Sequence, residues 1–249
     1  MSLLTTLTTR PTGKIAHLTI SHLLAVTLTG AGEKAFIGGA DLTEMAALRN
    51  PTAARTFITH VHDACAALRR CPVPVIARVN GFALGAGLEI AAACDMRVAG
   101  RRAVFGMPEV RLGIPSVVEA ALLPGLIGWG RTRQLLLLGS TVSAEEALRW
   151  GLVERVVEDG ELDGAVEEWV GELEKNGPLA VRRQKALISR WEELSLRAGI
   201  EAGVEAFGEC FGSDQGDGET EPRKMMGAFF REKEEVKAKA EAEAEKGEV

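Results

Sequence analysis

Two carboxylates and a glycine-rich turn are the residues of this chain best suited to chemistry. The stretch Asn80-Gly81-Phe82-Ala83-Leu84-Gly85-Ala86-Gly87-Leu88-Glu89 carries one acid, and Phe105-Gly106-Met107-Pro108-Glu109 carries the other. A strand-like run over 75–79 feeds the glycine turn, and residues 88–93 leave it with helix-forming composition. Glu89 is therefore expected in the first turn of a helix. Free N–H groups and the positive end of the helix dipole favour any anion that develops there. A glutamate in that place also stabilises the dipole with no further role, and on spacing alone Glu109 could be a surface acid.

The elements that must position these acids alternate in type. Short apolar runs at 15–20 and 24–28 precede a helical pattern over 53–68, a strand over 73–79, a helix over 88–94 and a strand over 96–99. Such alternation argues for an α/β fold with largely parallel strands. From Leu162 onward the pattern is wholly helical, with Trp169, Leu173, Leu187, Ile188 and Trp191 at helical spacing and expected to pack in the core. Residues 213–222 are rich in Gly and acids and read as a loop. The last stretch, 231–249, is a charged Ala-Glu-Lys segment with almost nothing to bury, expected to be frayed or disordered. The organisation read from this is an α/β core over 1–161, a helical region over 162–230 and a charged tail over 231–249.

Further blocks join the two acids. One is LTGAGEKAFIGGADL at 28–42; another is Met107-Pro108-Glu109-Val110-Arg111-Leu112-Gly113-Ile114-Pro115; a third is the pair 138–147 and Trp150-Gly151-Leu152-Val153. In this order the blocks resemble the enoyl-CoA hydratase/isomerase (crotonase) superfamily over most of the chain. The resemblance implies a crotonase-like (ββα)n spiral core with a C-terminal helical trimerisation region. By the same match the oxyanion-hole N–H groups are those of Ala40 and Ala86, and the catalytic glutamates are Glu89 and Glu109. Substrate contacts fall on Lys34, Ala35, Phe36, Gly38, Asp41, Leu42, Gly85, Pro108 and, near the end, Phe229.

The implied activity is syn addition of water to a trans-2-enoyl-CoA thioester. Its nearest competitor is a Δ3,Δ2-enoyl-CoA isomerase, in which one carboxylate shuttles a proton. A reading of another class is a catalytically degenerate acyl-CoA-binding or assembly subunit. The resemblance calls for no metal and no cofactor, coenzyme A being part of the substrate, and for a homo-oligomer, either a trimer or a dimer of trimers.

The chain departs from the family pattern in three places. Only Ser21-His22-Leu23 separates Ile20 from Leu24, where relatives have a turn and a helix. A parallel crossover needs about a dozen residues, so the runs on either side are expected to form an antiparallel hairpin or one long strand, with the family's first helix missing. After Glu109 the turn is one residue shorter, and Val118 and Glu119 replace small residues; Glu119 is a candidate third acid, though at a helix start it reads rather as a cap-region charge. Thr43 stands where many relatives carry a lysine that helps hold the nucleotide.

Composition limits the alternatives. The chain has 249 residues, 46% of them hydrophobic, enough for a sizeable core. It has no tyrosine, which removes any mechanism that needs a phenol. Net charge is −6, so no broad basic surface for nucleic acid or anionic membrane is indicated. Cys65, Cys71, Cys94 and Cys210 form no C-x-x-C pair, and His17, His22, His60 and His62 form no metal-like cluster. His60 and His62 would point to different sides of a helix. Gly85-Ala86-Gly87 resembles the start of a dinucleotide fingerprint, but five residues intervene after Val79 and Ile90 occupies the third small position. No run reaches the length of a membrane span, and the cytosol is the expected compartment, with mitochondrion and peroxisome left open.

Overall fold

The computed structural model describes residues 24–212 and 219–237 in full, and the backbone of 5–10, 13–18 and 238–247. Strands β1 (Thr5–Arg10) and β2 (Gly13–Leu18) pair with each other in an antiparallel hairpin. Strand β3 (Val26–Thr29) pairs in parallel with a later strand instead. The expectation that the runs around 15–20 and 24–28 form one hairpin or one strand is thus corrected. Residues 19–23 lie outside the described set, and among the described residues no helix precedes position 42.

From β3 onward the chain repeats one unit. A strand enters the first sheet, a second strand enters the other sheet, and a helix follows. The first unit is β3, β4 (Ala35–Ile37), the short helix α1 (Leu42–Ala46) and the long helix α2 (Pro51–Arg70). Next come β5 (Val75–Val79), β6 (Phe82–Leu84) and α3 (Ala86–Ala93), and then β7 (Met96–Gly100), β8 (Val104–Gly106), two 3₁₀ turns (Glu109–Leu112 and Val118–Leu122) and α4 (Leu123–Leu138). Strand β9 (Thr141–Ser143), α5 (Ala144–Trp150) and β10 (Arg155–Val157) close the core. One sheet has the parallel order β10-β7-β5-β3; the other runs β4-β6-β8-β9, with only β9 antiparallel.

The first sheet is covered on both faces, which is why its strands read as continuous apolar runs. Along β5, Val75, Ala77 and Val79 face the main core with Phe36, Leu88 and Phe105. Ile76 faces the other way, with Val98, onto Leu162, Ala165 and Val166 of α6 (Leu162–Glu174). Alternate residues thus serve two cores, as the period of a strand requires.

Three more helices follow: α7 (Pro178–Trp191), α8 (Leu196–Glu209) and α9 (Glu221–Gly247). One buried cation joins them to the core. Lys185 of α7 donates from Nζ to the carbonyls of Leu68 (3.0 Å) and Val73 (2.9 Å) and to Asp95 Oδ2 (2.7 Å), so its charge is fully partnered. The expected core role of the helical apolar residues holds only in part: Leu187 is buried, but Ile188 and Trp191 are exposed. The charged segment from 231 lies in α9 through Gly247, consistent with the high helix propensity of Ala, Glu and Lys. No helix of the described residues is long and apolar enough to cross a membrane.

Candidate active site

The second strand of each unit delivers a loop to one cavity. Strand β6 ends at Leu84, and Gly85 turns the chain into α3 with φ 54, a conformation that favours glycine. The carboxylate of Glu109 explains the glycine further, since a Cβ on Gly85 would stand 2.4 Å from Glu109 Oε1. Gly87 lets the loop after β4 approach: a Cβ there would stand 2.0 Å from the carbonyl oxygen of Ile37. Ala40 and Ala86 therefore come to line the same cavity. Ala86 is the first residue of α3, so its N–H belongs to the turn that lacks intrahelical acceptors, and no side chain caps that end.

The cavity encloses about 410 Å³, in the usual range for a small-molecule site. Of the residues expected from sequence, Gly38, Ala40, Leu42, Gly85, Ala86, Glu89, Pro108 and Glu109 line it. Met45, Phe57, Ile58, Leu112, Ile114 and Val117 supply apolar wall. Asp41 lies next door. It caps α1, accepting from Thr43 N (2.7 Å) and Glu44 N (3.2 Å), and it lines an adjoining shallow cavity that shares Ala40 and Ala86 with the first. Its carboxyl is lowered below the usual range, first by the Glu44 N–H and then by that of Thr43.

Four expected residues lie elsewhere. Phe36 is a core side chain, 3% exposed, so only its backbone could reach a ligand. Lys34 is exposed and its carbonyl accepts from Phe82 N (3.2 Å), while Ala35 sits in β4; neither lines the cavity. Phe229 is on the exposed face of α9 beside Phe230, with ring centroids 5.8 Å apart, and lines no wall of the cavity within its own chain.

The two acids sit in different surroundings. Glu89 is buried in the first turn of α3, and its Oε1 accepts from Ala120 N at 3.3 Å. Burial pushes its carboxyl up to about 7; the Ala120 N–H acts in the opposite sense, and the charges of Glu109 and Glu119 add to the rise. Glu109 opens the first 3₁₀ turn, half-buried, with Oε2 accepting from Ser116 Oγ at 2.9 Å.

Of the two readings of Glu119, a third acid and a cap-region charge, its placement favours the first: it is 6% exposed in the second 3₁₀ turn, with Oε1 at 2.8 Å from His62 Nδ1. Its sequence signal is an acid set in the apolar run Val117-Val118-Glu119-Ala120-Ala121-Leu122. The thiols of Cys65 and Cys94 are both pushed up to about 12, chiefly by burial, so neither is a nucleophile at neutral pH. Among the described residues no group of three or more His, Cys, Asp or Glu is placed to hold a metal ion.

A family model described as enoyl-CoA hydratase/isomerase matches residues 17–237. The chain belongs to that family. Among its relatives is the short-chain-enoyl-CoA hydratase of Clostridium acetobutylicum, 45% identical over 171 residues, or 68% of this chain and 65% of the relative. The crotonyl-CoA hydratase of Syntrophomonas wolfei is 43% identical over 64% of this chain and 61% of its own length. This chain thus spans a little under two thirds of those relatives. The crystal structure of an enoyl-CoA hydratase from Bacillus anthracis superposes with a TM-score of 0.70 at 39% identity, covering 74% of this chain and 71% of that one. The crotonase fold expected from the sequence is therefore the fold observed.

Proposed function

We propose that this member of the family is an enoyl-CoA hydratase that adds water across the double bond of a trans-2-enoyl-CoA. The observation that carries the reading is the meeting of Glu89, Glu109, Ala40 and Ala86 on one apolar cavity. Relatives whose names specify short-chain-enoyl-CoA and crotonyl-CoA hydratase point to the same reaction.

In this reading the thioester oxygen accepts hydrogen bonds from the Ala40 and Ala86 N–H groups, which makes the conjugated carbonyl an electron sink. Losing one such donor costs about 3–4 kcal/mol of barrier. Glu89, poised near 7, takes a proton from water as its oxygen attacks C3. Glu109 delivers a proton to C2 on the same side, and the enolate collapses to the 3-hydroxyacyl thioester. The apolar wall from Phe57 to Val117 takes the acyl chain and keeps bulk water away. Coenzyme A runs along residues 34–42, with Lys34 as a surface cation and the backbone at Ala35 and Phe36 facing the nucleotide. Phe229 contributes from a neighbouring subunit of a trimer or dimer of trimers.

The test follows loss of the conjugated thioester absorbance with crotonyl-CoA and longer enoyl-CoAs, beside isomerisation of a 3-enoyl-CoA. Isomerisation without hydration would replace this reading by the isomerase. Inactivity on both, with no acetoacetyl-CoA binding by calorimetry, would leave a non-catalytic subunit.

A further inference from the structure

Glu119 is a buried acid that the mechanism above leaves unused. Its 3₁₀ turn packs on α2 and α3, and 7% of its side chain is exposed. One oxygen meets His62 Nδ1 at 2.8 Å, and the other, Oε2, is buried with no nitrogen or oxygen donor, the Cys65 thiol standing by the carboxylate as a weak donor. The N–H of the next residue, Ala120, donates to Glu89 Oε1, so a single turn of chain holds both carboxylates in place. Val118 is held at φ 39, a strained conformation for a β-branched residue, at the start of the same turn. His62 is the opposite of Glu119 in exposure, with 52% of its side chain in solvent. The remaining titratable neighbour, the Cys65 thiol, keeps its proton at neutral pH.

An acid buried with at most a weak donor to one oxygen destabilises the fold unless something else holds it there. We propose that Glu119 and His62 form a proton outlet for Glu89. The inference rests on the hydratase reading. Each hydration leaves Glu89 with a proton taken from water and Glu109 short of the proton given to C2. Before the next turnover the O–H bond on Glu89 breaks and its proton passes to Glu119. Glu119 in turn passes a proton to His62 Nδ1, the imidazolium releases its Nε2 proton to a buffer base, and exchange of the ring proton with solvent restores the Nε2–H tautomer whose Nδ1 accepts again. Glu109 regains a proton from solvent through the cavity mouth. Protons balance over the cycle and no other reactant is needed. Neither Glu119 nor His62 touches the reacting atoms; both are positioning residues that act through Glu89.

Rapid-mixing hydration of crotonyl-CoA by the full chain tests this, comparing the parent with His62→Gln and Glu119→Gln in dilute buffer and in added imidazole. The first turnover should keep its parental rate in both variants, while steady-state kcat falls at least roughly tenfold with KM unchanged. Imidazole should restore His62→Gln and leave Glu119→Gln slow, because the buffer replaces only the outer group. His62 is half in solvent, so its variant folds even if Glu119→Gln does not. A parent that hydrates crotonyl-CoA while His62→Gln keeps full kcat in dilute buffer would overturn the outlet alone. Equal slowing of first and later turnovers, unmoved by imidazole, would also overturn it. A parent that hydrates no enoyl-CoA would remove the functional reading and the outlet with it.

Discussion

The glycine turns of the core and the helices after Gly177 solve opposite problems. Around Gly85 and Gly87, backbone and carboxylate approach so closely that a single added carbon would meet an oxygen at 2.4 or 2.0 Å. Along α8, Leu196, Ile200, Val204 and Phe207 recur at spacings of three and four to form a helical stripe, with Phe211 just beyond its end, yet every one is exposed. The stripe of α6, by contrast, is buried: Leu162, Ala165 and Val166 sit under the first sheet. The core is complete within one chain and shaped for a ligand. The α8 stripe has the pattern of a buried face yet lies open among the described residues.

The largest effects should come from the two acids. Glu109→Gln and Glu89→Gln are each expected to lower kcat at least ~10²-fold, the scale of a lost general acid or base, with far-UV circular dichroism unchanged. Loss of activity in Glu109→Gln alone would favour the isomerase. Parental rates in both variants would remove the site assignment.

The burial of Glu89 also has a consequence for stability. Its carboxyl stands near 7 in the folded protein against 4.5 for the free group, so between these values the folded state binds more protons than the unfolded one. Stability from this group is fully present below about 4.5 and is lost as pH rises through 7. Glu89→Gln removes the titration. The variant should match the parent at pH 4.5 and exceed it above pH 7 by up to ~3 kcal/mol, read from urea midpoints at several pH values. A parent and variant that differ equally at all pH values would contradict the buried, repelled carboxylate.

Much of this was legible in the residues. The glycine turn, the strand at 75–79 and the helix bearing Glu89 follow from local pattern, because each has a strong period and a breaker at its edge. What could not be read depends on contacts distant in sequence. Glu119 meets His62 57 residues away, Lys185 meets Asp95 90 residues away, and the packing of the Phe36 side chain into the core is not visible from its place in a loop motif. The exposure of Ile188 and Trp191 was hidden for a related reason: a helical stripe reads alike whether it packs on its own chain or on another.

The same substitution should change sign between the two regions. Gly87→Ala forces a carbon against the Ile37 carbonyl and is expected to destabilise by about 2–3 kcal/mol, with loss of activity as the Ala40 loop shifts. Gly203→Ala on α8 meets nothing within 4 Å and should stabilise by roughly 0.5–1 kcal/mol through helix propensity. Thermal melts of both variants decide this. A destabilised Gly203→Ala would mean that another chain already occupies that side of α8.

The smallest effect on the subunit, and the sharpest on assembly, should follow from changing the α8 stripe itself. Ile200 and Phe207 are 61% and 69% exposed within the chain, so replacing both by serine removes little intramolecular burial. The stability of the isolated subunit should move by less than ~1 kcal/mol, the scale of exposed substitutions. Contiguous apolar surface of this kind on a chain with a complete core is the mark of an interface, and closed symmetric assemblies are the usual outcome. Sedimentation at micromolar concentration should therefore show an oligomer for the parent and a smaller species for the Ile200→Ser, Phe207→Ser variant. If Phe229 serves a neighbour's site, the variant should also bind acetoacetyl-CoA more weakly even though every residue lining its own cavity is intact. A monomeric parent would refute the assembly, and an oligomer unchanged by the two serines would move the interface off α8.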